Sequence, residues 1–137
     1  MKVFFDGGSR PPPFGMEIAI VVGGRTISKR NLGFGTSMDA EWMALIEAMR
    51  CAHDLGLVDA VLLGDALAVI SQANGSARCP PDYVRHMEVF RLLPRPPGRV
   101  GPLCQANAES CRHCATEAAK AVTATRPAFR CPIPLRL

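Results

Sequence analysis

Hydrophobic and polar positions predict three β-strands in the first quarter of the chain. Residues 2–6 form a β-rich run, Met16 to Val22 is almost wholly apolar, and Arg25 to Leu32 is mostly polar, which suits a strand at an exposed sheet edge. Gly23-Gly24 separates the last two runs, and such a pair is typical of a two-residue hairpin turn. The prolines in residues 7–15 predict a turn there, since proline fits neither a helix interior nor a strand ladder. The three strands are therefore expected to form an antiparallel meander.

Between Asp39 and Leu55 the spacing of apolar residues becomes that of an α-helix. Asp39 is a candidate N-cap and Gly56 a candidate helix stop. Apolar residues recur there at steps of three and four, which gives the helix one apolar face. They are Trp42, Leu45, Met49 and Ala52.

Five further elements follow along the chain. They are a strand at Val58 to Leu63, helices at Asp65 to Ala73 and Asp82 to Leu93, a strand near Arg99 to Leu103, and a helix from Asn107 to about Ala124. A meander followed by crossover helices implies a mixed α/β fold. We therefore predict one domain over residues 1–137. Its five-stranded sheet has the first three strands antiparallel, the rest parallel, and helices on its flanks.

Composition narrows the class of protein. The chain has 137 residues, of which 48% are hydrophobic, enough for one domain with its own core. Its longest uninterrupted apolar stretches, such as Ile18 to Val22, have five residues and are far shorter than the roughly 20 residues of a membrane span. The opening MKVFFDGG lacks the apolar segment of a signal peptide. We therefore expect a cytoplasmic protein with reduced cysteines and no membrane partner.

Charge is distributed unevenly within a net charge of +4. Residues 1–75 carry six Lys and Arg against eight Asp and Glu, whereas residues 76–137 carry ten against four. A basic half of this kind attracts phosphate, which makes nucleic acid a candidate partner. The alternative is a solvated surface with an accidental asymmetry.

The cysteines include one C-x-x-C pair, Cys111 and Cys114, with His113 between them. A structural zinc site usually takes four ligands from two such pairs, and the sequence has no second pair. Ordinary thiols on a helix face are therefore favoured over zinc.

Three acids are candidates for chemistry. In the predicted sheet, strand one lies between strands two and four, so Asp6 and Asp65 stand at neighbouring carboxyl ends. Glu41, in the first turn of the long helix, can point at the same ends. Converging carboxylates select hard cations such as Mg²⁺ or Mn²⁺, and two such ions can activate water and stabilise the leaving oxygen of a phosphodiester. The alternative is that Asp6 only opens a turn and Asp65 only caps a helix.

Three motifs resemble the ribonuclease H type 1 family, including the related domains grouped with reverse transcriptases. Asp6 to Arg10 (DGGSR) resembles its D-G-x-S-R opening, and Thr36 to Ala48 (TSMDAEWMALIEA) its T-N-N-x-A-E-x-x-A-L-I-x-A helix. Gly64 to Gly75 (GDALAVISQANG) is similar to its G-D-S-x-x-V-I-x-Q-x-x-G. The motifs lie within the first 75 residues.

The resemblance implies roles for these residues. Asp6 would bridge two Mg²⁺ or Mn²⁺ ions, and Glu41 and Asp65 would complete the shell of the ion on the leaving-group side. Glu41 would also lie close to a ribose 2′-hydroxyl, which distinguishes RNA from DNA. Other positions match residues near the bound strands, although each also suits a turn, a cap or a solvated helix face. They are Gly7, Ser9, Arg10, Thr36 and Gln72.

The chain departs from the family's pattern at several positions. Ser37 and Met38 replace two asparagines, and Ala66 replaces a serine. The fourth acid of the family, expected in the last helix, falls on Cys111, with Glu109 and His113 as the other candidate ligands nearby. A thiol is a poor ligand for Mg²⁺, so the sequence predicts weak Mg²⁺-dependent activity and a preference for Mn²⁺.

Two functions of different class follow from these features. The first is a divalent-metal-dependent endonuclease that hydrolyses the RNA strand of RNA–DNA hybrids, with double-stranded RNA as a further candidate substrate. The alternative is a catalytically impaired module of the same fold that binds nucleic acid through its basic half. A third, weaker hypothesis is an interaction domain that only inherits the scaffold.

Overall fold

The computed structural model describes residues 1–98 and 104–105, which form a mixed five-stranded sheet with helices. The strands are β1 (Lys2–Arg10), β2 (Gly15–Val22), β3 (Arg25–Lys29), β4 (Val61–Gly64) and β5 (Cys104–Gln105). The helices are α1 (Ser37–Asp54), α2 (Leu67–Ala73) and α3 (Val84–Leu92), and a 3-10 turn at Pro81–Tyr83 leads into α3.

The strand order is β3-β2-β1-β4-β5, with β1 in the centre. β2 runs antiparallel to both of its neighbours, whereas β4 runs parallel to β1 and to β5. The predicted mixed α/β fold is therefore confirmed, with the predicted central strand. The prediction of a single domain over all 137 residues extends past the described residues and stays a prediction.

The first strand is longer than the sequence predicts. It was expected to end at Asp6, but Gly7 to Arg10 continue β1 and pair with the start of β2, where Arg10 lies opposite Gly15. Only the four residues from Pro11 to Phe14 form the turn, closed by a 3.2 Å hydrogen bond from the Phe14 N–H to the Pro11 carbonyl. A partner strand supplies the hydrogen bonds that make an extended conformation favourable for a glycine-rich segment.

The hairpin between β2 and β3 is confirmed at Gly23-Gly24. Both glycines have positive φ, 57° and 75°, which the tight turn requires and which side chains disfavour. The third strand is shorter than the predicted run, since β3 ends at Lys29 rather than Leu32.

The long helix begins three residues earlier than predicted, because Thr36 rather than Asp39 is its N-cap. The Thr36 hydroxyl accepts a hydrogen bond from the Asp39 N–H at 3.1 Å, and the Asp39 carboxylate accepts one from the Thr36 N–H at 2.9 Å. This reciprocal capping box satisfies two N–H groups at the start of the helix. The predicted helix stop at Gly56 is confirmed, with φ of 59° after the C-cap residue Leu55.

Later elements differ from the prediction mainly at their ends. β4 begins at Val61 instead of Val58, and α2 begins at Leu67 instead of Asp65. A two-residue strand, β5, is observed at residues 104–105, directly after the run in which a strand was predicted. Residues 99–103 themselves and the predicted last helix from Asn107 lie outside the described residues.

The core lies between α1 and the sheet. The predicted apolar stripe of α1 is completely buried, and it packs with inward-facing residues of β1 and β2. The rings of Trp42 and Phe90 meet edge to face with centroids 6.3 Å apart, which joins α3 to the same core. This packing fixes the start of α1 between β1 and α3. Among the described helices, none has the length and apolar character needed to cross a membrane.

Candidate active site

Parallel pairing of β1 and β4 brings two of the predicted acids to the same edge of the sheet. Phe5 lies opposite Gly64 in the register of the two strands, so Asp6 and Asp65 are the next residues on each. The sequence predicts that Asp6 is the last residue of its strand. In the structure, Asp6 lies in the middle of β1, beside the point where β4 ends.

Glu41 reaches the same place because α1 packs directly on the backbone of β1. A Cβ atom added to Gly7 would lie 2.3 Å from the Ala40 carbonyl oxygen and 2.7 Å from the Glu41 nitrogen. Only glycine permits this approach. The Gly7 N–H in turn donates a hydrogen bond to the Glu41 carboxylate.

The three acids interact electrostatically. Burial raises the pKa of Glu41 to about 7, the charges of Asp6 and Asp65 add to the rise, and the hydrogen bond from Gly7 opposes it. The Oε2 atom of Glu41 is buried and has no hydrogen-bond partner. The structure therefore brings Asp6, Glu41 and Asp65 together, and it leaves one buried carboxylate oxygen without a counterpart.

This donor set fits a hard divalent cation in its chemistry. Carboxylate oxygens are the ligands that Mg²⁺ and Mn²⁺ prefer, and a cation would meet both the free Oε2 atom and the two aspartate charges. Within residues 1–98 and 104–105, however, no three His, Cys, Asp or Glu side chains are gathered closely enough to form a metal-binding group. The acids converge without forming a complete coordination shell.

The predicted fourth ligand cannot be placed in this site. Glu109, Cys111 and His113 all lie outside the described residues. Their roles stay predictions, as does the assignment of the C-x-x-C cysteines to ordinary thiols.

The residues predicted to contact substrate have structural partners of their own. The Ser9 hydroxyl donates to the Gly35 carbonyl at 2.8 Å, and the Arg10 guanidinium pairs with Glu17 at 3.0 Å. Thr36 caps α1. Gln72 is buried in α2, with Oε1 lacking a hydrogen-bond partner. Contact between substrate and these four residues, and between substrate and Gly7, stays a prediction.

His86 and Tyr83 lie near the site, although no sequence pattern predicts this. His86 Nε2 lies 3.0 Å from Asp39 Oδ1, and the Tyr83 hydroxyl lies 3.2 Å from the Thr36 hydroxyl. Burial favours a higher pKa for Asp39, but hydrogen bonds from Thr36 and His86 outweigh it and lower the pKa. The T-x-x-D spacing of Thr36 and Asp39 predicts the helix cap. No local pattern predicts the contact with His86, because His86 is 47 residues from Asp39 in the chain.

A pocket of about 170 Å³ adjoins Asp6 on the sheet. Cross-strand neighbours from the three antiparallel strands line it, and Glu17 pairs there with the exposed Arg30 at 3.9 Å. The lining residues are Asp6, Gly8, Glu17, Ile18, Ala19, Ser28 and Arg30.

Comparison with known families and structures extends these observations. The family described as reverse transcriptase-like matches residues 20–89, which include Glu41 and Asp65 and begin after Asp6. No match was found among curated proteins.

Several solved structures are similar to the chain. RNase H1 from the halophilic archaeon Halobacterium salinarum is 31% identical with a TM-score of 0.54, and the match covers 66% of this chain and 73% of that one. The N-terminal RNase H domain of a Mycobacterium tuberculosis protein is 24% identical with a TM-score of 0.53, covering 66% and 76%. LC11-RNase H1, isolated from compost, is 20% identical with a TM-score of 0.57, covering 87% and 89%. The last two similarities concern the fold alone.

Proposed function

The chain belongs to the reverse transcriptase-like family, with a ribonuclease H-like fold, and on this premise we propose that it is a divalent-metal-dependent endonuclease that hydrolyses the RNA strand of RNA–DNA hybrids. The observation that carries the proposal is the convergence of Asp6 and Asp65 on the half-buried Glu41, whose Oε2 atom is buried without a hydrogen-bond partner. Similarity to an archaeal RNase H1 at 31% identity supports the class of reaction.

Asp6, Glu41 and Asp65 are the residues that would hold Mg²⁺ or Mn²⁺, in a site for two ions. When bound, the metal supplies an activated water and neutralises charge at the phosphodiester. The chain's own contribution is to hold the carboxylates on rigid elements. β1 and β4 fix the two aspartates in register, and the Gly7 N–H orients Glu41. Glu41 is also the group proposed to lie against the ribose 2′-hydroxyl, which would select RNA.

Exposed arginines beside the site support nucleic acid as the partner. The side chains of Arg10 and Arg30 are 59% and 77% exposed, and both lie on the strands that surround Asp6 or on the loop that follows them. Cations in such positions attract a phosphate backbone, and the attraction weakens as salt is added.

The direct test is cleavage of an end-labelled RNA–DNA hybrid by the full chain with Mg²⁺ or Mn²⁺. Asp6→Asn and Asp65→Asn should each lower the rate at least about a hundredfold, the scale on which a catalytic group contributes. Asp54→Asn is the matched control, because this exposed carboxylate lies at the far end of α1. Cleavage that survives Asp6→Asn would contradict the proposal and indicate a contaminating nuclease. Double-stranded RNA tested in parallel shows whether it is also a substrate.

A catalytically impaired nucleic-acid-binding module is the second candidate function. It is favoured by Cys111 at the position where the family's fourth acid is expected, since a thiol binds Mg²⁺ poorly. Salt-sensitive binding of the hybrid, with no cleavage in either metal, would support the module over the enzyme.

A further inference from the structure

Two phenylalanines lie exposed on neighbouring loops beside the candidate site. Phe14 is 61% exposed at the end of the β1–β2 turn, and Phe34 is 69% exposed in the loop between β3 and α1. The Phe34 ring lies against the residue that follows Phe14, since a Cβ added to Gly15 would be 3.7 Å from Phe34 Cδ1. Two exposed aromatic side chains are therefore carried by adjoining segments of the chain, Phe14 directly before Gly15 and Phe34 against it, and we call them the Phe14–Phe34 patch.

The backbone beneath the patch is held by hydrogen bonds. The Met16 N–H donates to the Gly33 carbonyl at 2.8 Å, and the Leu32 N–H donates to the Met16 carbonyl at 3.1 Å. The turn that carries Phe14 is closed by its bond to Pro11. A fixed backbone presents the rings without a large ordering cost when a ligand binds.

Positive charge borders the patch. Arg10 immediately precedes the β1–β2 turn, and Arg30 follows β3. Both arginines pair with the single carboxylate of Glu17, at 3.0 Å and 3.9 Å, so these three residues together carry a net positive charge. Exposed aromatic rings beside arginines are typical of surfaces that bind single-stranded nucleic acid, because bases stack on the rings while the cations meet the phosphates.

The patch lies on the continuation of the strand that carries Asp6. Arg10 is four residues further along β1, which corresponds to about 13 Å at 3.3 Å per residue. This is about four nucleotide steps along the axis of a duplex, at about 3.4 Å per step. A strand that leaves a hybrid held at the acids therefore comes within reach of the patch after a few nucleotides.

We propose that the Phe14–Phe34 patch binds an unpaired nucleic-acid strand that extends from the hybrid, with bases stacked on the two rings and phosphates beside Arg10 and Arg30. The position of the hybrid rests on the proposed function, whereas the affinity of the patch for a single strand does not. The chain would then prefer hybrids that carry a single-stranded extension over blunt ones.

The test compares binding of two labelled hybrids of equal length, one blunt and one with a single-stranded DNA extension, tried at either end. Fluorescence anisotropy at fixed salt gives the affinities, with Asp65→Asn present in every protein to prevent cleavage. Phe14→Ala and Phe34→Ala should each weaken binding of the extended hybrid about 5- to 140-fold, from 1–3 kcal/mol per stacked base. Binding of the blunt hybrid should change less than about twofold.

Two further variants sharpen the test. Phe34→Tyr keeps an aromatic ring and should retain the preference for the extended hybrid. Leu92→Ala removes another exposed apolar side chain, at the end of α3, and should leave both affinities unchanged. Equal affinity for blunt and extended hybrids, or equal loss on both after Phe34→Ala, would overturn the proposal. A concentration-dependent change in molecular mass after Phe34→Ala, without a change in binding, would indicate a protein contact and also overturn it.

Labelled single-stranded DNA alone separates this proposal from the proposed function. If the hybrid is neither bound nor cleaved but the single strand binds and depends on Phe14 and Phe34, the nuclease proposal fails and the patch stands. If hybrids are cleaved while the single strand binds equally well to the alanine variants, the patch fails and the nuclease proposal stands.

Discussion

The backbone N–H of Gly7 donates a hydrogen bond to the carboxylate of Glu41, and Gly7 itself packs on the first turns of α1. One residue therefore sets both the spacing between β1 and α1 and the orientation of a candidate metal ligand. Because Gly7 packs against backbone atoms of Ala40 and Glu41, neither side of this packing contact can move without moving β1 or α1.

Replacing Gly7 tests this close approach. Gly7→Ala should destabilise the protein by about 2 kcal/mol or more, because the new methyl group would overlap the Ala40 carbonyl. Gly8→Ala is the control, since a Cβ added there has no atom within 4 Å and should change stability by less than about 0.5 kcal/mol. Urea denaturation of the two variants measures the difference. Equal stabilities would contradict the described contact.

Replacing His86 tests whether its hydrogen bond to Asp39 stabilises the packing of α3 on the start of α1. His86→Ala removes the 3.0 Å hydrogen bond to Asp39 and should cost about 1.5–3 kcal/mol, the range for a hydrogen bond to a charged group. His53→Ala is the matched control. This exposed histidine pairs with the adjacent Asp54, so its loss should cost less than about 0.5 kcal/mol. Denaturation at neutral pH measures the free energy of unfolding of both variants, and a similar decrease in the two would argue against a stabilising role for the His86–Asp39 hydrogen bond.

The raised pKa of Glu41 predicts a pH-dependent stability in metal-free protein. The unfolded chain releases this proton near 4.5, whereas the folded state holds it to about 7. Between these values the folded state binds more protons, so stability falls as the pH rises through this window. Solvent screening at a half-buried site limits the loss to about 1–2 kcal/mol.

Glu41→Gln should remove this dependence, because glutamine stays neutral. With a chelator present, the variant should be more stable than the unmodified protein near pH 8 and equal to it near pH 4.5. Denaturation at the two pH values provides the measurement. A variant that is less stable than the unmodified protein at both pH values would show that burial and the neighbouring aspartates do not destabilise the charged carboxylate of Glu41.

Cys111→Asp tests the position of the missing fourth acid. If Cys111 occupies that position, the substitution should raise the Mg²⁺-dependent cleavage rate at least about tenfold, since even outer-shell groups change metal-site function 10- to 100-fold. The unmodified chain should be more active with Mn²⁺ than with Mg²⁺. The gain should vanish when Asp6→Asn is added. A folded variant with an unchanged rate would show that the predicted last helix is aligned wrongly. Glu109, or Glu117 further along the same predicted helix, would then be the acid to test.

The sequence by itself determined the central place of β1 from the succession of elements, and it also determined the hairpin at Gly23-Gly24, the buried face of α1 and which three acids the fold brings together. The hairpin and the buried helix face depend on residue type and spacing within one element. A glycine pair permits a turn that other residues resist, and an apolar period of three and four specifies one face of a helix. The motif residues are informative for the same reason, since each motif is local in the chain.

Only the tertiary structure decided how far β1 extends, where α1 begins and what surrounds Glu41. β1 continues to Arg10 because β2 supplies hydrogen-bond partners that its own residues lack. The raised pKa of Glu41 arises from burial and from the charges of Asp6 and Asp65, which are distant along the chain. Such effects depend on which surfaces meet and on how much water is excluded between them, and neither quantity is specified by the spacing of residues within one segment.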